Sequence, residues 1–322
     1  MSERVAEEAE TSAGFRDPKV LLPFILITLI WSSTWIVIKD QLGSDPATAV
    51  PPAWSVVYRF AIASLAMFAL ARATGASLAL DRSGHALAAL IGVPQFFLNY
   101  NLVYAAEQYV TSGLVAVVFA LLILPNTALA WLFFRQPVTS RFAAGSLVAL
   151  AGIALLFVQE VRASGAATAA TLVGIGFSLL AVLAASAANV MQLAPSVRSR
   201  PIAAMLAWAM LYAALLDAAY AWSVFGKPVA EARVGYWLGL AYLGIVASAL
   251  AFFLYFRIVR AVGPAKAAYS SVLIPILAMA ISTVAEGYVW TPLAAAGGVL
   301  ALAGLVVALM SGRPQPAPPP GD

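Results

Sequence analysis

The sequence lacks most of the side chains that carry enzymatic and metal chemistry. It contains no cysteine and a single histidine, His85. Disulfides, thiolate metal sites and cysteine nucleophiles are therefore excluded, and a histidine-based hydrolase or a transition-metal site is hard to build. We predict no enzymatic activity, no cofactor, no metal and no catalytic residue.

Charged residues are also scarce. They make up 10% of the 322 residues, against 63% hydrophobic residues and a mean hydropathy of +0.92. So little polar surface cannot cover a soluble globule, which predicts an all-α membrane protein in contact with lipid. A spanning helix needs roughly 20 apolar residues, and ten stretches have about that length. They lie near 20–38, 53–72, 85–105, 112–134, 141–159, 170–191, 202–224, 235–256, 266–285 and 292–310.

The positions of lysine and arginine predict the orientation. If the N-terminus is cytoplasmic, thirteen of the eighteen lie on that side, four lie on the other side (Lys39, Arg162, Lys227 and Arg233), and Arg59 lies inside helix 2. Basic loops stay in the cytoplasm, so both termini are predicted to be cytoplasmic in a multi-pass protein of the bacterial inner membrane. The basic excess then follows from topology, and no nucleic-acid partner is predicted.

The two halves of the chain resemble each other. Pro125 and Pro275 each lie in an apolar stretch, and the similar strings 143–152 and 295–304 follow them. Five helices per half is an odd number, so the second half enters the membrane from the opposite side; inverted repeats of this kind build many secondary transporters. The predicted organisation is a disordered cytoplasmic tail 1–18, a first five-helix repeat 19–160, a second, inverted five-helix repeat 161–311, and a proline-rich cytoplasmic tail 312–322.

Several motifs occur in a recognisable order. Helix 1 carries Trp-Ser-Ser-Thr-Trp-Ile-Val-Ile-Lys at 31–39, helix 2 has the pair Arg59-Phe60, helix 3 has Asn99-Tyr100, and helices 4 and 9 contain prolines. In this order and spacing the chain resembles the EamA-type, ten-helix branch of the drug/metabolite transporter superfamily. The resemblance implies an exporter of amino acids or other small metabolites, with helices 3, 4, 8 and 9 along the substrate path.

The chain departs from the family pattern at one place. Where the family has Gly-Glu after helix 4, this sequence has Arg135-Gln136, whereas Glu286-Gly287 remain after helix 9. A paired acidic signature is therefore not expected to act here.

Helix 3 carries an unusual number of polar side chains for a spanning segment. Gln95 and Asn99 are four residues apart and share one face, and Tyr100 and Tyr104 share another. Amides beside phenols could bind the ammonium and carboxylate of a zwitterion, so these four residues are predicted to bind substrate. The alternative is hydrogen bonding between helices, worth only about 0.6 kcal/mol on average in membranes.

Similar side chains on helices 4, 8 and 9 extend the predicted site. For any one of the aromatic residues, packing against lipid or protein remains the alternative interpretation. The further predicted substrate-binding residues are Phe119, Asn126, Ser248, Phe252, Tyr255, Tyr269 and Ser271, and helix breaks are predicted at Pro125 and Pro275.

A gate or ion pair is predicted from the embedded charges and from two tryptophans of helix 1. The candidates are Trp31, Trp35, Lys39, Arg59 and Asp217. Arg59 is expected to pair with Asp217 or Asp40, or to contact substrate. Because Asp217 is the only well-embedded acid, protons are a candidate coupling ion, and facilitated diffusion or exchange fits equally well. Glu107 and Glu160 are expected to face outer water.

The residues favour a secondary transporter that exports a small amphipathic metabolite, with an amino acid or derivative first, by alternating access. The alternative substrate class is a drug or organic cation. A membrane enzyme is disfavoured because Ser32, Ser33, Ser270 and Ser271 lack a visible general base. A structural or sensory protein gives no reason for two opposed repeats.

Overall fold

The computed structural model describes residues 15, 17–42, 50–110, 112–163, 169–285 and 290–310. Within these ranges the chain is helical and contains no strand, as predicted. The predicted tail 312–322 and most of 1–18 lie outside them. The long helices are α1 (Pro18–Leu42), α2 (Pro52–Ala73), α3 (Arg82–Ala106), α4 (Gly113–Phe134), α5 (Ser140–Ala163), α6 (Ala169–Met191), α7 (Ile202–Phe225), α8 (Val234–Val262), α9 (Tyr269–Ala285) and α10 (Pro292–Leu309).

The helices place apolar side chains outside and polar side chains inside. Among the described residues, nine spans are long and apolar enough to cross a membrane: eight lie in α1 to α8, and the ninth, Pro264–Ile281, joins the short helix Pro264–Ala267 to most of α9. Helix α10 contributes the shorter apolar stretch Pro292–Ala308. Leu65, Leu147 and Val299 are about 70% exposed, whereas Arg59 and Asp217 are almost completely buried. This arrangement is expected of a multi-pass membrane protein, because lipid rather than water covers its surface.

Helices α5 and α10 pack backbone to backbone through glycines. A Cβ atom added to Gly145 would lie 2.7 Å from the Gly304 carbonyl oxygen, and one added to Gly304 would lie 2.6 Å from the Gly145 oxygen. Likewise, a Cβ added to Gly152 would lie 2.6 Å from the Gly297 carbonyl oxygen, and one added to Gly297 would lie 2.9 Å from the Gly152 carbonyl oxygen. The later glycine of α5, Gly152, thus meets the earlier glycine of α10, Gly297, so the two helices are antiparallel. The two similar sequence strings therefore pack against each other.

Helices α3 and α8 each contain a π-helical segment, at Val93–Leu98 and Tyr242–Leu250. In a π-helical segment the backbone bonds from i to i+5, and such segments often occur at functional sites. Gly92, just before the first segment, lies against the backbone of Ala209 on α7. In the second segment Gly244 lies against α2, where an added Cβ would be 3.1 Å from the Arg59 carbonyl oxygen. The distorted helices are thus held close to their neighbours.

The two prolines predicted to break helices differ in their effect. A short 3₁₀ turn, Ala120–Leu122, precedes Pro125 and interrupts the α-helical bonding of α4. Helix α9 is continuous through Pro275, so the helix break predicted there is wrong. Proline removes only one backbone donor, and neighbouring helices can accommodate that loss in a membrane protein. At position 275 the missing backbone N–H would otherwise donate to the carbonyl oxygen of Ser271, one turn earlier in α9.

Candidate binding cavity

One cavity lies among α1, α2, α3, α4, α6, α8 and α9. Its volume is about 90 Å³, and a buried water needs roughly 10–15 Å³, so it has room for several waters or one small solute. Its lining is mostly apolar and aromatic with a few polar groups, which is typical of small-molecule sites. The lining residues are Trp31, Thr34, Trp35, Ile38, Arg59, Gln95, Asn99, Tyr100, Val103, Phe119, Leu122, Ala185, Asn189, Phe252, Tyr255, Ser270, Ser271 and Ile274.

The structure brings many of the predicted site residues together. From six different helices, the cavity collects Trp31, Trp35, Arg59, Gln95, Asn99, Tyr100, Phe119, Phe252, Tyr255 and Ser271. Sequence reasoning missed Asn189 of α6. A lone amide in an otherwise apolar helix is a signal that could have identified it, since polar groups at membrane depth need a partner or a cavity.

Arg59 supplies the cavity with a buried positive charge. Its side chain donates from Nε to the Ser248 hydroxyl at 2.9 Å and from Nη2 to the Tyr100 hydroxyl at 3.5 Å. The guanidinium carbon lies 4.4 Å from the centre of the Tyr100 ring. Nη1 makes no hydrogen bond to any described residue. One edge of the guanidinium is therefore fixed in place, while one nitrogen is left for another partner.

The ion pair predicted between Arg59 and Asp217 or Asp40 is wrong. Asp217 accepts a 2.5 Å hydrogen bond from the Asn101 amide, which links α7 to α3. Asp40 pairs with Arg233 at 3.1 Å. The helical positions of these acids are compatible with several neighbours, and the packing of the bundle gives each one a partner other than Arg59.

Five more buried polar atoms of the cavity residues have no hydrogen-bond partner in the described part of the chain. They are the indole nitrogen of Trp35, the amide oxygens of Gln95, Asn99 and Asn189, and the hydroxyl of Tyr255. A buried polar atom without a partner costs roughly 1–3 kcal/mol. Such atoms are satisfied by water or by a ligand, so the cavity is suited to a polar group of a small molecule.

Aromatic rings form another part of the lining. Trp31 lies 5.2 Å from Phe252 and 5.1 Å from Tyr255, and Trp35 lies 6.0 Å from Phe119, measured between ring centres. The Trp31 indole also donates to the Ala247 carbonyl, at 3.0 Å, within the π-helical segment of α8. The predicted gate residue Trp31 thus connects α1 to the distorted part of α8.

The remaining predicted residues bond helices together outside the cavity lining. Tyr104 donates to Gln41 at 2.8 Å, and Asn126, next to Tyr255, donates to the Pro264 carbonyl at 3.0 Å. The hydroxyls of Tyr269 and Ser146 lie 2.8 Å apart. For these residues the structure favours the alternative of hydrogen bonding between helices.

Three other predicted residues also lie off the lining. Ser248 accepts a hydrogen bond from Arg59, which does line the cavity. Lys39 is exposed at the end of α1, and Asp217 lies between α3 and α7. Within the described residues no three His, Asp or Glu side chains cluster to hold a metal.

Glu107 differs from its prediction. It follows the last residue of α3, and both carboxylate oxygens are buried without a hydrogen bond to a described residue. Burial raises the pKa of Glu107 to about 8, and the positive charges of Arg59 and Lys39 offset this only in part. The side chain of Glu160, the second acid predicted to face outer water, lies outside the described residues.

Glu107→Gln is expected to stabilise the protein increasingly as pH rises. In the unfolded chain the carboxyl ionises near its ordinary pKa of 4.5, whereas in the folded protein it holds its proton up to about pH 8. Folding therefore binds an extra proton in this window, and wild-type stability falls relative to the variant between these values and then levels off. Melting temperatures of the purified proteins at several pH values test this. A difference that does not change with pH would contradict the burial of this carboxylate.

Comparison with known proteins gives the family context. The EamA-like transporter family model matches residues 19–158 and 172–310. The chain is 22% identical over 275 residues to protein PagO of Salmonella typhimurium, covering 85% of this chain and 87% of PagO. It is 27% identical over 117 residues to an uncharacterized transporter in the trpA 3′ region of Buchnera aphidicola, covering 36% of this chain and 37% of that protein.

A solved crystal structure has the same fold. It superposes with a TM-score of 0.74 at 21% sequence identity and covers 92% of this chain and 99% of its own.

Proposed function

Since the chain belongs to the EamA-like transporter family of the drug/metabolite transporter superfamily, we propose that it is a secondary transporter of the bacterial inner membrane that exports a small amphipathic metabolite. An amino acid or derivative is the proposed substrate class, and alternating access is the proposed mechanism. We propose no enzymatic activity and no nucleic-acid partner.

The observation that carries this proposal is the cavity. It is formed by helices from both matched segments of the chain and combines aromatic rings with buried polar atoms that have no partner among the residues the structure describes. An amphipathic solute would place its apolar part on the rings and its polar part on Arg59 and the amides. A site between two similar halves is suited to alternating access, because rocking the halves exposes it to each side in turn.

The proposed architecture is ten spanning helices in two inverted repeats, 19–160 and 161–311. Three observations support it: the antiparallel glycine contact of α5 with α10, the equivalent π-helical segments of α3 and α8, and the two family matches. The excess of lysine and arginine on the side of the N-terminus supports cytoplasmic termini.

Efflux of drugs or organic cations is the second candidate function. The rings of Trp31, Trp35 and Phe252 favour it, since aromatic faces attract cations. The buried guanidinium of Arg59 disfavours it, because a second cation in the same poorly solvated cavity would be repelled.

Reconstituted transport tests the proposed function. Proteoliposomes are loaded with labelled leucine, phenylalanine, alanine or tetraethylammonium, and efflux is followed with and without a pH gradient. Selective amino-acid efflux is expected. Efflux of tetraethylammonium alone would support the second candidate, and no efflux of any solute would contradict both. A response to the gradient, removed by Asp217→Asn, would assign a proton to Asp217, whose second carboxylate oxygen is buried without a described partner.

A further inference from the structure

We propose that Arg59 binds the carboxylate of the transported molecule and that the amides of Gln95, Asn99 and Asn189 bind its ammonium group, so that the substrate is a zwitterion. This inference rests on the proposed function and names the chemistry of the same cavity.

The state of Arg59 supports the carboxylate half of this inference. The side chain is 1% exposed and, among the described residues, no carboxylate lies within ion-pair distance of it. A buried charge is costly unless it is paired. Ser248 and Tyr100 hold Nε and Nη2, so Nη1 is the nitrogen left for a ligand.

Arg59 is also the only ionised side chain in the lining as the described residues define it. One guanidinium with one free nitrogen matches a singly charged carboxylate better than a phosphate dianion, which calls for more cationic partners. The geometry therefore favours a monocarboxylate over a phosphorylated compound.

The amide oxygens support the ammonium half. Three buried oxygens without a partner, on Gln95, Asn99 and Asn189, are acceptors, whereas a carboxylate needs donors. An ammonium group carries three donors and no acceptor. The site thus offers a cation to one end of a zwitterion and acceptors to the other, and the described part of the lining contains no carboxylate to bind a permanent cation.

Three related probes separate the two halves. Leucine carries both charged groups, 4-methylpentanoate only the carboxylate, and 3-methylbutylamine only the ammonium, on the same branched chain. Binding to the purified full-length protein is followed by quenching of tryptophan fluorescence, since Trp31 and Trp35 line the cavity. We expect leucine to bind best, 4-methylpentanoate more weakly and the amine most weakly.

Arg59→Gln provides the decisive comparison. We expect it to weaken leucine and 4-methylpentanoate binding by about ten- to a hundredfold, as loss of a charge-assisted hydrogen bond does, and to strengthen binding of 3-methylbutylamine. The gain for the amine also shows that the variant is folded. Arg59→Lys should retain part of the leucine affinity. Arg72→Gln removes the same charge from an exposed position of α2 and should leave all three affinities unchanged.

The inference and the proposed function fail in different ways. Equal binding of the amine and leucine, binding of none of the three probes, or unchanged leucine affinity in Arg59→Gln would overturn the zwitterion site. Transport of an uncharged solute at the same rate by wild type and Arg59→Gln would overturn it as well, and would leave the transporter intact. Absence of transport of every solute would overturn the proposed function.

A separate observation leads to a second inference. Two ion pairs join the halves of the chain at opposite ends of the helices: Arg200 with Asp81 at 2.8 Å, and Arg233 with Asp40 at 3.1 Å. The first half supplies both aspartates and the second half both arginines. Asp81 and Arg233 each occupy the N-cap position, before α3 and α8 respectively. They are 152 positions apart in the sequence, which is also the offset between the similar strings 143–152 and 295–304. Asp81 and Arg233 therefore occupy corresponding positions in the two halves.

We infer that these pairs are matching latches, one for each mouth of the cavity. Asp40 and Arg233 close the face at the C-terminal end of α1, and Asp81 and Arg200 close the opposite face. The pairs are partly exposed, and such pairs contribute little to overall stability. In a protein with two states of similar free energy, however, a small difference is enough to change the populations.

The latches remain charged at neutral pH. The Arg200 guanidinium and the Gly84 backbone N–H both donate to Asp81 and lower the pKa of its carboxyl. The Asp81 latch is therefore lost only when pH falls through this lowered value. Arg233 also contacts Glu231 at 3.3 Å, and Glu231 and Asp40 together raise its pKa.

Thiol labelling tests the latches, because the natural chain has no cysteine. Thr34→Cys places one thiol in the cavity lining, and a membrane-impermeant thiosulfonate reagent is added at the face of the α1 C-terminus. Asp40→Asn should speed labelling by about two- to fivefold, the range expected for an exposed ion pair, and Asp81→Asn should slow it by a similar factor. In Asp81→Asn the asparagine side-chain oxygen can still accept the N-cap hydrogen bond from the Gly84 backbone N–H, so this bond is retained.

Two further variants complete the experiment. The double variant Asp40→Asn/Asp81→Asn should return the labelling rate toward that of the parent, because both latches are weakened equally. Asp17→Asn removes an acid near the start of α1 that belongs to neither pair, and should have no effect. Equal shifts in the same direction for the two single variants, or no shift in either, would overturn the inference.

Discussion

Gly304→Val is expected to prevent most of the chain from reaching the folded state. A Cβ at this position would overlap the backbone nitrogen of Ala149 and lie 2.6 Å from the Gly145 carbonyl oxygen. Backbone atoms cannot rotate away, so α10 would have to move off α5. Overpacking of this kind costs about 1–3 kcal/mol or more, and close contact between small residues is a main source of helix association in membranes.

Gly298→Val is the matched control for this prediction. Gly298 lies on the same helix, and the nearest heavy atom to an added Cβ is a Trp290 ring carbon at 3.9 Å. The change in helix propensity is the same at both positions, so only the contact with α5 differs. Extracted protein is compared by size-exclusion chromatography and melting temperature. We expect at least a severalfold loss of monodisperse protein for Gly304→Val alone. Equal behaviour of both variants would contradict the α5–α10 contact.

Much of this fold is predictable because lipid imposes simple rules on sequence. Apolar stretches of about 20 residues identify the helices, and the similar strings 143–152 and 295–304 identify the two repeats, although they do not show that these strings pack against each other. The residues of the α3 face were also predictable: Gln95 and Asn99, four residues apart, both line the cavity.

Contacts between helices were harder to predict. Helical spacing shows which residues share a face, but it does not show which helix that face meets. Arg59 was therefore paired with the wrong acids, while its observed partners, Ser248 and Tyr100, come from α8 and α3. The π-helical segments of α3 and α8 have no marker in the sequence beyond a nearby proline or glycine. Asn189 was overlooked because a single amide in an apolar helix was not weighed against the more polar α3.

Loss of transport without loss of folding is expected for Asn99→Ala and Tyr255→Ala. The Asn99 side-chain oxygen is buried in the cavity wall without a described partner, so its removal breaks no hydrogen bond of the protein that the structure shows. Contact with a bound solute is lost instead. A hydrogen bond of about 1–1.5 kcal/mol corresponds to roughly a tenfold change, and we expect efflux to fall by about that factor. Tyr255→Phe keeps the ring beside Trp31 and isolates the contribution of the hydroxyl.

Trp222→Ala controls for the general effect of losing an aromatic residue from the bundle. Trp222 is 56% exposed near the end of α7, away from the cavity, and its loss should leave efflux nearly unchanged. Efflux from proteoliposomes is normalised to the amount of folded protein, measured by size-exclusion chromatography. Wild-type efflux in both Asn99→Ala and Tyr255→Ala would mean that substrate passes elsewhere, because both side chains line the cavity and cannot both be dispensable if the solute is held there.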